Sequence, residues 1–171
     1  MTTALSKVMD WYEATAEMQF LAQRQLLLRG SILSPNSKFI DLSHQEIFEK
    51  MKQIKMELDD LAIVSLVSVF ESLVLEYVTQ MISFSKENET LTAFEENWIR
   101  YAKNQVERGR FTDILDLFKG TIDSQLVGNV KKAYQYRNWV AHGKKGAKKE
   151  SMDPLTVYDM LRAFLENMWL I

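Results

Sequence analysis

From His44 to about Lys86 the sequence runs without a single proline or glycine, and this stretch limits the possible folds more than any other. Its start is marked: Ser43 and Glu46 form an S-x-x-E capping box, and Leu42 with Ile47 can close a hydrophobic staple around it. Its middle, Leu61 to Phe70, is almost wholly apolar. A helix that is apolar on most sides has to be covered on most sides, so the run is expected to be the central helix of a bundle. A membrane span is the competing reading of such a run. Lys50, Lys52, Lys55, Glu57, Asp59 and Asp60 precede the apolar stretch, however, and Glu71 and Glu76 interrupt it before about 18 apolar residues accumulate.

The remaining segments carry helix signals of ordinary length. A first, peripheral helix is expected over 5–29, with Val8, Tyr12, Met18, Ala22 and Leu26 as its apolar stripe and Gly30 at its C′ position. Residues 31–41, with Pro35 and Asn36, read as a loop. Thr92 and Glu95 suggest a second capping box, opening a helix marked by Phe94, Trp98, Tyr101, Ala102 and Gln105 and ending at Arg108–Gly109. A short helix follows, with Ile114, Leu115 and Phe118 turned inward and Gly120 ending it. Asp123 or Ser124 caps the next helix, over 123–142, and Asp153 with Pro154 opens a closing helix over 154–170. Leu155, Tyr158, Leu161, Leu165, Met168 and Trp169 are its expected inward residues. The expectation is one all-α domain over 1–171, an up-and-down bundle of five to six helices around one long central helix.

Only two prolines and six glycines agree with an absence of β architecture. With no cysteine, disulfides, thiolate metal sites and cysteine nucleophiles are excluded together. A net charge of −2 argues against non-specific coating of nucleic acid, so any RNA contact has to come from a local patch. The N-terminus has no basic segment followed by an apolar core, and a soluble cytoplasmic protein with no membrane partner is expected. No H-E-x-x-H, paired E-x-x-H, EF-hand loop or Walker sequence occurs, so neither a metal nor a cofactor is expected. Gly143-Lys144-Lys145-Gly146 matches the G-x-x-G of KH domains as a string, but those folds need a sheet. His44, at a helix start among polar residues, reads as a surface side chain.

Chemistry concentrates in Arg137-Asn138-Trp139-Val140-Ala141-His142-Gly143. The helix carrying it has an apolar stripe at Leu126, Val130, Ala133, Val140 and Ala141, and Arg137 falls within that stripe. A guanidinium on an inward face is costly unless it is paired or serves a ligand. Glu71, the first charge after ten uncharged residues, is the expected partner. The pair would either fix how two helices meet or orient a catalytic arginine. His142, one of two histidines, falls in the last turn before Gly143, where a helix dipole favours positive charge.

Arg137 followed by Asn138, with His142 five positions after the arginine, resembles the R-N-x3-H form of the Rx4-6H signature of HEPN domains. Ala141, Gly143 and the long preceding helix add to the likeness, which covers mainly residues 61–171. The resemblance implies a metal-independent endoribonuclease of bacterial or archaeal conflict systems, working as a homodimer with a composite site. Its partner would be an antitoxin or other regulatory protein. Lys144 stands where toxins paired with a nucleotidyltransferase antitoxin carry tyrosine, a departure from that subgroup.

The chemistry that fits is attack by the 2′-hydroxyl of RNA on its own phosphate. His142 would move protons, as an imidazole does near neutral pH, and Arg137 would hold the phosphate oxygens. Asn138, one turn before His142, would orient the imidazole or donate to phosphate. Lys144, Lys145, Lys148 and Lys149, in the loop after the motif, would guide the substrate backbone. At about 100° per residue, Arg137 and His142 point roughly 140° apart, which a two-fold homodimer would resolve by pairing residues from two chains. The competing class is a non-catalytic HEPN-like module for dimerisation, nucleotide binding or partner binding.

Overall fold

In a computed structural model the described residues are 3–28, 36–87, 92–147 and 149–169, without the side chains of 84–87, 94, 95, 98, 105, 107 and 108. Six helices form among them: α1 (Thr3–Leu28), α2 (His44–Glu87), α3 (Ala93–Arg108), α4 (Phe111–Asp116), α5 (Ser124–Ala141) and α6 (Pro154–Met168). No strand forms among the described residues. The all-α bundle read from the sequence is the fold.

The start of α2 follows from its capping box. Glu46 N–H donates to Ser43 Oγ at 3.3 Å, and Ser43 N–H donates back to Glu46 Oε2 at 2.8 Å. The Ser43 hydroxyl also donates to Glu46 Oε2 at 2.7 Å, and it, with the Ser43 N–H, holds the Glu46 carboxyl below its ordinary range. From there α2 continues for 44 residues, about 66 Å at 1.5 Å per residue. By length and hydropathy the helix is long and apolar enough to cross a membrane. In the bundle its middle supplies core: Ala62, Ile63, Leu66, Phe70 and Val74 are wholly buried.

Helices α1, α3, α5 and α6 all pack directly on this one. Tyr12 meets Asp59 and Gln19 meets Met51, so α1 runs antiparallel to α2. Arg137 meets Glu71 while Lys144 meets Asp60, so α5 is antiparallel as well. Phe164 against Phe70 and Trp169 against Tyr77 show that α6 runs parallel to it. Phe70 is the hinge of the core: its ring meets Phe164 edge-on at 5.2 Å and Phe111 at 6.0 Å, tying α2 to α6 and α4. Asp116, the last residue of α4, pairs with Lys131 on α5 and with Lys119.

The caps of α5 and α6 form as their sequences predict. Asp123 accepts from Leu126 N–H and Asp153 from Thr156 N–H, each at 2.8 Å. Four inward faces need correction. On α1, Leu5, Met9 and Tyr12 are buried, whereas Met18 and Ala22 face solvent. On α3, Ile99 and Ala102 turn inward while Tyr101 is half exposed; the expected Phe94, Trp98 and Gln105 lie outside the described side chains. On α5 the buried line is Val127, Val130, Ala133 and Tyr136, and Ala141 is exposed. On α6, Val157 and Phe164 take the inward places expected of Leu155 and Trp169, both exposed. Tyr12 on α1, Ala102 on α3, Val130 and Ala133 on α5, and Leu161, Leu165 and Met168 on α6 are buried as expected; the departures fall where the sequence held more apolar residues than one stripe can bury. Gly30, the first part of the 31–41 loop and the Glu95 side chain of the second capping box lie outside the described residues.

Candidate functional site

The last two turns of α5 hold the motif. Because the buried line of α5 runs through Tyr136, Arg137 stands one position off it and its side chain is 24% exposed. From there it reaches α2. Arg137 Nη2 donates to Glu71 Oε2 at 3.1 Å and to Ser68 Oγ at 3.2 Å, and Nη1 donates to Asn138 Oδ1 at 2.9 Å. The guanidinium also lies 5.7 Å from the centre of the Tyr134 ring. Three acceptors and one aromatic face therefore fix the fork, and Nε is buried without a partner. The expected contact between Arg137 and Glu71 is present. Ser68, not singled out in the sequence, belongs to the same cluster because it precedes Glu71 by one turn of α2.

Asn138 takes a different place from the one expected. Its amide oxygen serves Arg137, while its backbone carbonyl accepts the His142 N–H at 3.0 Å. It orients the arginine rather than the imidazole. His142 is the C-cap of α5 and is exposed. Gly143, at φ 73°, turns the chain in a Schellman arrangement: its N–H donates to the Val140 carbonyl at 2.9 Å, and the Lys144 N–H to the Trp139 carbonyl at 2.8 Å. The helix thus ends at His142 and leaves the imidazole on its rim, with Arg137 committed to the α2 side.

The lysines divide. Lys144 is no free arm. At φ 57° it folds back, pairs with Asp60 and lies 5.8 Å from the centre of the Trp139 ring. Lys145 and Lys149 are exposed, and Lys148 lies outside the described residues.

Asp60 is the polar residue that sequence reasoning missed. It is 6% exposed and accepts from Tyr136 Oη at 2.5 Å as well as from Lys144. Burial, and then the Asp60 carboxylate, push the Tyr136 phenol well above its ordinary range. Asp60 precedes Ile63, Val67, Phe70 and Val74 at alternating steps of three and four, so it stands in phase with a core stripe. That phase was the available signal; its position beside Asp59, at the charged flank of the apolar run, masked it. Around Asp60 lies a cleft of about 1020 Å³, lined among others by Met56, Tyr136, Trp139, Lys144, Lys149 and Met152. Neither Arg137 nor His142 lines it. Among the described residues no cluster of three or more acidic or histidine side chains is placed to hold a metal ion.

The chain matches no protein-family model, no curated protein and no solved structure.

Proposed function

We propose that this chain is a metal-independent endoribonuclease of HEPN type, a cytoplasmic toxin or defence effector that cuts RNA by attack of its own 2′-hydroxyl. The observation that carries this reading is that the last two turns of one helix carry both a fixed guanidinium and an exposed imidazole. Arg137 held by Glu71, Ser68 and Asn138 is pre-aimed, so binding a phosphate costs little ordering of the side chain. His142 on the rim is open to a substrate as large as RNA and supplies the proton transfers. The 2′-oxygen bonds to phosphorus as its proton leaves, the bond to the 5′-oxygen breaks with proton delivery, and a 2′,3′-cyclic phosphate remains. Because Arg137 turns toward α2 while His142 points to solvent, a second copy would complete the site across a two-fold axis. Lys145, Lys148 and Lys149 would guide the RNA backbone, and an antitoxin or regulatory protein would restrain the activity.

One observation favours a second reading, a non-catalytic helical module. Arg137 has its charge matched by Glu71, and the cleft at this end of the bundle is lined by other residues. The test is purified protein incubated with mixed RNA in the presence of a chelator, beside a His142→Ala control. Cleavage by the parent that leaves cyclic phosphate ends, and is lost in the variant, supports the nuclease. Equal cleavage by both places the active site elsewhere, and no cleavage by the parent leaves the binding module.

A further inference from the structure

The face of α1 turned away from the core carries a second line, apolar except for Gln25. Trp11, Ala14, Met18, Leu21, Gln25 and Leu28 follow one another at steps of three, four, three, four and three, the a/d spacing of a coiled-coil seam. All six are exposed; Trp11, Met18, Leu21 and Leu28 are exposed by 46%, 62%, 49% and 68%. The inward face of α1 is accounted for separately by Leu5, Met9 and Tyr12, and Met9 lies about 160° around the axis from Trp11. A soluble helix has no reason to keep a heptad line on its solvent side unless another helix covers it.

The charges beside the seam identify that helix. Glu17 and Arg24 both occupy g positions, immediately before the a residues Met18 and Gln25. When two copies of α1 cross antiparallel, g faces g. With Met18 against Leu21 of the second copy, Glu17 falls opposite its Arg24, and the two-fold axis repeats the pair. The same register sets Trp11 against Leu28 and the small Ala14 against Gln25, so each layer joins a larger side chain to a smaller one. A parallel pairing would instead place Glu17 opposite Ala22 and Trp11 against its own copy. We propose that α1 is the interface through which two copies of this chain associate, as an antiparallel helix pair about a two-fold axis between Met18 and Leu21. Because α1 is already folded on α2, docking has no helix to order. The seam is distinct from the motif face, since Arg137 is directed to α2, and the proposal rests on nothing about RNA.

Sedimentation of the full-length parent, Glu17→Arg, Arg24→Glu, the double charge swap and Met18→Glu/Leu21→Glu tests it. All the substituted side chains are exposed, so unchanged helical circular dichroism is expected throughout. The parent should run at twice its 20.0 kDa mass at micromolar concentration, or at four times where the motif faces pair as well. Each single swap should weaken the dimer on the order of tenfold, because two like-charged pairs then face each other. The double swap should restore it, and mixing the two single-swap chains should form a heterodimer tighter than either homodimer. Met18→Glu/Leu21→Glu should halve the mass of the parent assembly. A monomeric parent, a dimer indifferent to the swaps, or one that survives Met18→Glu/Leu21→Glu would overturn the proposal; the last result would place the contact on another face.

Discussion

At the scale of single residues, the motif separates into one side chain that is held and one that is free to act. His142 makes no side-chain contact that the fold depends on, so His142→Ala should abolish cleavage while leaving the thermal midpoint within a degree or two. Arg137 has two jobs. Arg137→Ala should abolish cleavage and also cost about 1–3 kcal/mol in urea denaturation, because it strands a half-buried Glu71. Arg137→Lys keeps the charge but not the fork, and should recover part of the stability without the cleavage. A lysine variant that cut RNA at the parent rate would show that fork geometry is not used. The contact between Arg137 and Glu71 was legible because each is a charge inside an apolar pattern, and such charges seek each other. The bond between Tyr136 and Asp60 was not legible in the same way. Tyrosine does not advertise itself on an apolar face, and Asp60 hid in a charged flank.

Elements were read well where a local bond decides them and less well where packing does. The boxes and caps at Ser43, Asp123 and Asp153 involve neighbours within three residues, so sequence alone specifies them. Which of two adjacent apolar stripes turns inward depends on distant helices, and that is where α1, α3, α5 and α6 departed from expectation. The joint between α4 and α5 yields a pH prediction. Lys119 first, and Lys131 with it, hold the Asp116 carboxyl below its ordinary value of 3.8. A depressed carboxylate pKa adds stability above the unfolded value and loses it as pH falls through the folded one. Asp116 is 39% exposed, so solvent screening limits the effect to roughly 0.5–1 kcal/mol. Asp116→Asn should therefore lower the thermal midpoint by a few degrees at neutral pH. The gap should close in acid, once the pH has fallen below the depressed pKa and the parent carboxyl is protonated too. A gap that persists there would assign the loss to packing.

On the scale of the whole molecule, α2 is shared by α1, α3, α5 and α6, and this has a consequence for how the chain is made. During synthesis α1 and α2 emerge first and can close on each other as a hairpin. The side of α2 that carries Phe70 has no cover until Phe111 and then Phe164 arrive. For the time it takes to translate the last half of the protein, a long apolar ridge stands in water, and its concentration-dependent capture by other nascent chains competes with folding. Chains ending after α5 should accordingly aggregate or be held by chaperones more than chains that include α6. Ribosome-arrested lengths probed by limited proteolysis should show protection of α2 rising sharply only once residues 154–168 have left the exit tunnel. Helix α6 then acts as a timer: it sets the moment at which the apolar ridge of α2 is covered by its own chain.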